Sequence, residues 1–306
     1  MDRPTLRQLE YAVAVADEGH FGRAAELAHV SQPGLSSQVA ELERRLGVPL
    51  FERTSRAVYP TAVGQILIER FRAVLRDIDD LTAVATQHDG DIRGTLRIGA
   101  IPTMAPYLLP PIVATVRRLF PEVRLRFDEV RTTQLVEQLA AGSLDIGLLA
   151  MPVETGALTV EVLAKDPFFL ALPVGHRLSG DKPIAFSALN DLEILLLEPG
   201  HCLRSHVVDA CSIDPLRSGP GRELHAASLA TLTQMVASGE GLTLLPKSAL
   251  AVEARPGSGI TVRPFRSPVP SRSIALAWRS TNPYGGFYRD IANDLRRGFA
   301  EWLKQQ

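Results

Sequence analysis

The sequence predicts an α/β protein in three parts: an N-terminal winged helix-turn-helix, a long linker helix suited to dimerisation, and a two-lobed α/β region. Three observations predict it. Apolar residues keep helical spacing through most of the first sixty positions and end in a hairpin-like pattern, an unbroken helical stripe follows, and after the glycine-punctuated HDGDIRG strand-like and helix-like runs alternate. The 306 residues, 45% hydrophobic and 22% charged, suffice for more than one packed core. The parts are placed at residues 1–61, 62–90 and 91–306, the last divided into lobe I (about 91–164 and 269–306) and lobe II (about 165–268).

From Thr5 to Asp17, Leu6, Leu9, Val13 and Ala16 recur at helical spacing, and Gly19-His20 ends the run. FGRAAELA is a second, short helix. In SQPGLSSQVAELERRLG, Ser31 is an N-cap, Pro33 sits in the first turn where its missing N–H costs nothing, and Gly47 closes the helix. Leu35, Val39, Leu42 and Leu46 form its apolar stripe, which leaves Gln32, Ser36, Ser37 and Ala40 outside it. Short polar residues at the front of the second helix of such a pair suit the base edges of a major groove. LFERTSRAVYPT reads as two short strands around a turn, a wing whose Arg53 and Arg56 can clamp phosphates. The bland alternative is a three-helix packing module with a surface hairpin.

Charge restricts how this head binds nucleic acid. Residues 1–60 hold seven Arg and no Lys against eight Asp plus Glu, and the whole chain carries −1, which excludes a polybasic coat. Recognition must rest on few arginines and on duplication of the head. After Thr61, an N-cap, a helical stretch runs to about His88, with Leu67, Phe71, Val74, Ile78, Leu81 and Ala85 spaced by four and three as in a two-helix seam. Roughly 40 Å long at ~1.5 Å per residue, it exceeds what a small winged domain covers, so the same helix of a second subunit is the expected partner. No apolar run approaches the ~18 residues of a membrane span, and the start lacks the pattern of a secretion signal. The expectation is a cytoplasmic protein with no membrane partner.

TLRIGA, VRLRFDEV and DIGLLA read as strands separated by the helices PYLLPPIVATVRRLF and TTQLVEQLAA, the βαβαβ half-unit of a parallel sheet. A second such region begins near Lys165, with ILLLE a strand, LRSHVVDA and SLATLTQMVASGEG helices, and LTLLP a strand; RSIALAWRS and the final helix return to the first lobe. Ligands of such sheets sit at the carboxyl ends of strands, beside helix N-termini. Thr103, Thr132 and the PGHC stretch fall there, and a turn or N-cap role is the competing reading of each threonine.

GHCLRSHVVDAC contains both cysteines of the chain, Cys202 and Cys211. Cys202 lies where its helix begins. Peptide N–H groups, Arg204 and His201 there favour a thiolate, the form that peroxide oxidises to a sulfenic acid. In a reducing compartment a close pair suits redox sensing better than a permanent staple.

Residues 5–64, above all FGRAAELAHVSQPGLSSQVAELERRLGVPLFERTSRAVYPTAVG, resemble the DNA-binding half of LysR-type transcriptional regulators. The two lobes resemble the periplasmic-binding-protein-like effector domain of the same family. The resemblance implies Gln32, Ser36 and Arg53 near double-stranded DNA, with Ser37 and Arg56 beside them and Arg7 reaching it from the first helix. It also implies a homodimer through the linker helix, a homotetramer, and RNA polymerase as a partner. Gly34 departs from the hydroxyl residue that many relatives carry. EPGHCLR with a second cysteine nine residues on, together with IPTMAPYLLP, EVRTTQL and GLTLLP, looks like the peroxide-sensing members of the family. By that resemblance Cys202 is the peroxidatic cysteine, Cys211 the resolving one, and Thr103, Thr132, His201 and Arg279 position hydrogen peroxide and water, with Arg204 nearby. No cofactor is implied. If residues 203–211 are helical in the reduced protein, the cysteines are roughly 13 Å apart, too far for a disulfide, so closure requires LRSHVVDA to unwind.

Three rivals stay open. His201, Cys202, His206 and Cys211 are all possible zinc or iron ligands, but Cys211 falls on the opposite helix face from Cys202 and His206, short of a closed metal site. A thiol peroxidase would need a reductant docking surface, of which the sequence gives no sign. The third is a LysR-type regulator of a small carboxylate whose cysteines are structural.

Overall fold

The computed structural model describes residues 3–53, 58–86, 94–189, 192, 194–211 and 225–305, and forms two compact units, Met1–Gly90 and Asp91–Gln306. In the first, α1 (Leu6–Glu18), α2 (Phe21–Leu27) and α3 (Gln32–Leu46) bury Val15, Ala24, Leu35, Val39 and Leu42 between them. Local chemistry sets the boundaries. Thr5 and Gln8 cap α1 reciprocally and Gly19 closes it in the left-handed region, while Ser31 Oγ accepts the Gly34 N–H at 3.3 Å and Gly47 ends α3. The buried face of α1 is Gln8, Leu9, Tyr11, Ala12 and Val15, displaced from the predicted stripe, and Leu6 is exposed. Gln8 accounts for the displacement: it is buried, its side chain donating to Gln38 of α3 at 3.2 Å.

The wing is β1 (Phe51–Arg53) paired antiparallel with β2 (Val58–Pro60). Its base is pinned to α3, where one carboxylate oxygen of Glu43 accepts the Leu50 and Phe51 amides at 2.7 and 3.2 Å. The following helix α4 (Ala62–Thr86) enters the same packing. Ile68 and Phe71 lie inside the core of the head with Leu67 and Leu75 against it, and Arg72 pairs with Asp17 of α1. The expected seam is therefore divided. Its first members, Leu67 and Phe71, serve the head itself, whereas Val74, Ile78 and Leu81 are exposed at 43, 37 and 65%; the side chain of Ala85 lies outside the described residues.

The second unit begins with β3 (Gly94–Ala100), α5 (Ala105–Leu119), β4 (Val123–Glu129), α6 (Thr132–Ala140) and β5 (Ile146–Met151), with β3 parallel to both β4 and β5. Five of the six residues of β5 are buried, as expected of a strand covered on both faces. β6 (Leu158–Pro173) then runs through the predicted lobe boundary at Lys165 without a break. Beyond it come β7 (Leu196–Leu197), α7 (Cys202–Cys211), β8 (His225–Ala226), α8 (Leu229–Ala237), β9 (Thr243–Pro246), α9 (Leu250–Glu253), β10 (Ile260–Pro264), β11 (Ser271–Arg279) and α10 (Gly285–Gln305). The expected strand ILLLE contracts to the two residues of β7, paired parallel with β8, plus a bridge from Ile194 to Leu242.

Two strands join the lobes. β11 pairs with β5 on one side and with β6 from Leu158 to Pro167 on the other, completing the first sheet in the order β4–β3–β5–β11–β6. From Phe168 onward β6 pairs instead with β9 and β10. Asp166 and Arg272 face each other at this change of partners.

Because Phe71 is 6% exposed within the head, Phe71→Ala should lower the stability of the unit by about 3–5 kcal/mol, whereas Ile66→Ala, at a site 66% exposed, should change it by under about 0.5 kcal/mol. Denaturant unfolding of residues 1–90, followed by helical circular dichroism, distinguishes the two.

Candidate functional site

Backbone approach between β3, β5 and α6 sets the position of the first lobe's contribution. A Cβ on Gly99 would lie 2.4 Å from Leu135 Cδ1, and one on Gly147 2.7 Å from Leu139 Cδ1, so α6 rests directly on the two strands. This places Thr132, the first residue of α6, beside the loop that leaves β3 with Ile101, Pro102 and Thr103. Both threonines are buried.

The second lobe contributes α7. Leu203 and Val207, one turn apart, are buried in the core, and His206 Nε2 donates to the Pro152 carbonyl at 3.2 Å, which ties the middle of the helix to the first lobe. Cys202 is then held half-buried at the first position of α7, a free thiol. It lines a crevice with Ile101, Thr103, Thr132, Gly200 and His201. The crevice is narrow, without a volume that would hold a water molecule. A cleft of about 590 Å³ adjoins it, sharing Pro102, Thr103, Arg131 and His201 as walls.

Electrostatics around the thiol are set by neighbours from both lobes. Arg131 Nη2 is 3.6 Å from Glu198 Oε2, and a Cβ on Gly200 would stand 3.2 Å from Arg131 Nη1, so the guanidinium covers the turn that leads into α7. Burial pushes the His201 imidazole below its usual range, Arg131 pushes it further, and Glu198 opposes them. The balance favours the neutral ring of His201.

Thr103 is fixed by a buried cluster. Arg272 donates from Nη1 to Thr103 Oγ1 and from Nη2 to the Thr103 carbonyl, both at 3.0 Å, while its Nε donates to Asp166 Oδ2 at 3.0 Å. Asp166 in turn accepts the Ser248 amide at 2.9 Å and the Ser248 hydroxyl at 2.7 Å.

Two successive parts of the chain match two family models. Residues 6–65 match the bacterial regulatory helix-turn-helix protein of the lysR family, and residues 89–295 match the LysR substrate binding domain. The chain belongs to the LysR family of transcriptional regulators. Within that family its similarity is to OxyR proteins. It is 42% identical over 293 residues to the hydrogen peroxide-inducible genes activator of Dickeya chrysanthemi, covering 95% of this chain and 94% of that one. A full-length OxyR variant from Pseudomonas aeruginosa aligns with a TM-score of 0.77 at 36% identity, over 97% of this chain and 96% of that one. A hydrogen peroxide-bound OxyR mutant from Corynebacterium glutamicum aligns with a TM-score of 0.68 at 34% identity, over 99% and 95%.

For this LysR-family chain the structure gathers Thr103, Thr132, His201 and Cys202 around one crevice, and separates two of the expected residues from it. Arg279 sits at the far end of β11, against Gly142. Seven residues from Arg272 at about 3.3 Å each put it roughly 23 Å along the strand from the Thr103 contact, beyond the reach of any side chain. Arg272 is the arginine at the cleft end. Arg204 turns away as well, its Nη1 donating to the Leu197 carbonyl at 3.0 Å. Cys211 ends α7, but its side chain lies outside the described residues.

In the head, Gln32 and Ser37 are exposed along the front of α3 and Ser36 is half-buried. Arg7 is exposed on α1, with its Nε donating to Tyr11 Oη at 2.7 Å and its guanidinium 5.7 Å from the Tyr11 ring centre. Arg53 belongs to β1, while its side chain and the whole of Arg56 lie outside the described residues. Sequence reasoning missed Glu43, Arg131, Asp166, Ser248 and Arg272. The available signal was an acid and a base inside otherwise apolar strands, Asp166 before PFFLAL and Arg272 before SIALAW.

Because the folded-state value of His201 is depressed, an unfolded chain binds the proton more readily. Its contribution to stability is full above about pH 6.5 and is lost as the pH falls toward the folded-state value. The thermal midpoint of His201→Asn should therefore fall less steeply than that of the wild type between about pH 7.5 and 5.5; parallel curves would show that the ring is not held neutral.

Proposed function

We propose that the protein is a transcriptional regulator that senses hydrogen peroxide at Cys202 and converts the oxidation into altered promoter binding by closing a disulfide with Cys211. The observation that carries this reading is the half-buried Cys202 at the start of α7, walled by Thr103, Thr132 and His201 beside an open cleft.

In the first step the Cys202 thiolate attacks one peroxide oxygen. The S–O bond forms as the O–O bond breaks, sulfur is oxidised by two electrons, and the other oxygen leaves as hydroxide, which takes up a proton to become water. Thr103 suits this step, because Arg272 occupies an acceptor site on its hydroxyl and carries no acceptor of its own, so the hydroxyl proton is available to the crevice. The adjoining cleft, which shares Thr103 and His201 with the crevice, is the approach for peroxide. In the second step the Cys211 thiol attacks the sulfenic sulfur, an S–S bond replaces the S–O bond, and water leaves. Residues 202 and 211 are nine helical rises apart in α7, about 13 Å, against about 4.4–6.8 Å between the Cα atoms of a disulfide. Closure therefore unwinds α7, withdraws Leu203 and Val207 from the core, and breaks the His206–Pro152 tie between the lobes.

The readout is double-stranded DNA. Gln32, Ser36 and Ser37 at the front of α3 face base edges, Arg53 and Arg56 of the wing hold phosphates, and Arg7 reaches the duplex from α1. Two heads are joined through the exposed part of α4, dimers pair into tetramers, and the promoter-bound assembly engages RNA polymerase. The cleft also suits the alternative of a regulator answering a small carboxylate, which the redox test separates.

Peroxide treatment of the wild type should lower its mass by about two daltons and shift its footprint on upstream DNA. Cys202→Ser should abolish both effects. Cys211→Ser should give a trappable sulfenic acid at Cys202 with only a short-lived footprint change; a full and lasting response in this variant would contradict the disulfide switch. Val74→Glu with Leu81→Glu should split the assembly at α4 into a slower-sedimenting species by placing unpaired charge in the seam, and unchanged sedimentation would remove α4 from the interface.

A further inference from the structure

We infer that Asp166 is a positioning residue for peroxide reduction at Cys202, an assignment that rests on the peroxide-sensing reading above. Asp166 and Arg272 have fully buried side chains and face each other where β6 and β11 cross between the lobes. Burying a charge pair is costly unless its remaining hydrogen-bonding capacity is met, and here it is met from both lobes. Lobe I supplies Thr103 Oγ1 and its carbonyl to the two terminal nitrogens of Arg272; lobe II supplies the amide and hydroxyl of Ser248 to the two oxygens of Asp166.

The planar guanidinium makes this arrangement directional. With Nε committed to Asp166 at 3.0 Å, the terminal nitrogens are turned to Thr103, each donating to it at 3.0 Å, while Nη2 also lies 3.5 Å from Ser248 Oγ. Arg272 donates and cannot accept, so Thr103 Oγ1 accepts from it and the hydroxyl proton is excluded from that side. Among the described residues Thr103 donates its hydroxyl proton to no protein acceptor, and Thr103 is a wall of the Cys202 crevice. Asp166 thus determines, through Arg272, that the threonine offers a donor to the oxygen that develops negative charge as the O–O bond breaks. Ser248 holds the carboxylate in the plane this requires and makes the arrangement depend on the second lobe.

The test uses the reduced full-length protein and reads two reactions of Cys202: the rate of oxidation by hydrogen peroxide, and the rate of alkylation by iodoacetamide, which needs an accessible thiolate but no hydrogen-bond donor. Asp166→Asn should slow oxidation by about tenfold or more, leave alkylation within about twofold of the wild type, and leave DNA binding by the reduced protein unchanged. Thr103→Val should slow oxidation comparably, and combining it with Asp166→Asn should cost little more, because both remove the same donor. Ser248→Ala, which keeps the ion pair, guards against simple misfolding and should slow oxidation by a smaller factor, about threefold. Equal losses in oxidation and alkylation, or fully multiplicative losses in the double variant, would overturn the assignment. So would normal oxidation of Asp166→Asn while the wild type reacts as proposed. A wild type whose Cys202 resists peroxide would instead overturn the functional reading itself, and the assignment with it.

Discussion

An intact α7 cannot bring its two ends together, and the rest of the regulatory account follows from that constraint. The helix is held by Leu203 and Val207 in the core, by the Arg204–Leu197 and His206–Pro152 hydrogen bonds, and by the turn over which Arg131 lies. These contacts favour the reduced arrangement without any need for a separate lock. In the proposed switch, a covalent bond between residues 202 and 211 offsets them only by dismantling the helix, which would make the chemical event and the conformational event one.

Unwinding of α7 would reach both lobes, because the helix has partners in each. His206 reaches across to Pro152, and Arg131 of the first lobe lies over Gly200 and within ion-pair distance of Glu198. The buried Asp166–Arg272 pair, by contrast, stands on the strands that remain continuous through the waist. The site therefore combines a rigid half, in which Thr103 is oriented by charge, with a half whose helix can be rebuilt.

Much of the architecture was legible because it is specified locally. The break at Gly19, Ser31 with Pro33 and Gly47, and the alternating strands and helices after residue 94 are short-range patterns, and the structure reproduces them. What was misread depended on tertiary partners. The rhythm of Leu67, Phe71 and Val74 is the same whether the facing helix is α1 or another subunit, and only packing assigns Phe71 to the head and leaves Val74 outside. Arg272 and Arg279 bracket one apolar strand, and sequence alone does not say which end lies at the cleft; the antiparallel register with β5 does. β6 carries a charged Lys165-Asp166 step that reads as a boundary, yet Asp166 is buried because Arg272 stands opposite.

Amide hydrogen exchange across α7 distinguishes a helix that unwinds on oxidation from one that survives it. In the reduced protein the amides of residues 204–210 should be protected by the helix. After peroxide treatment, with mass confirming the disulfide, they should exchange at rates approaching those of an open chain while the amides of β5 and β11 keep their protection. Retained protection through residues 204–210 in protein that has demonstrably formed the bond between Cys202 and Cys211 would contradict the account, because the helix would then have survived a closure its geometry forbids.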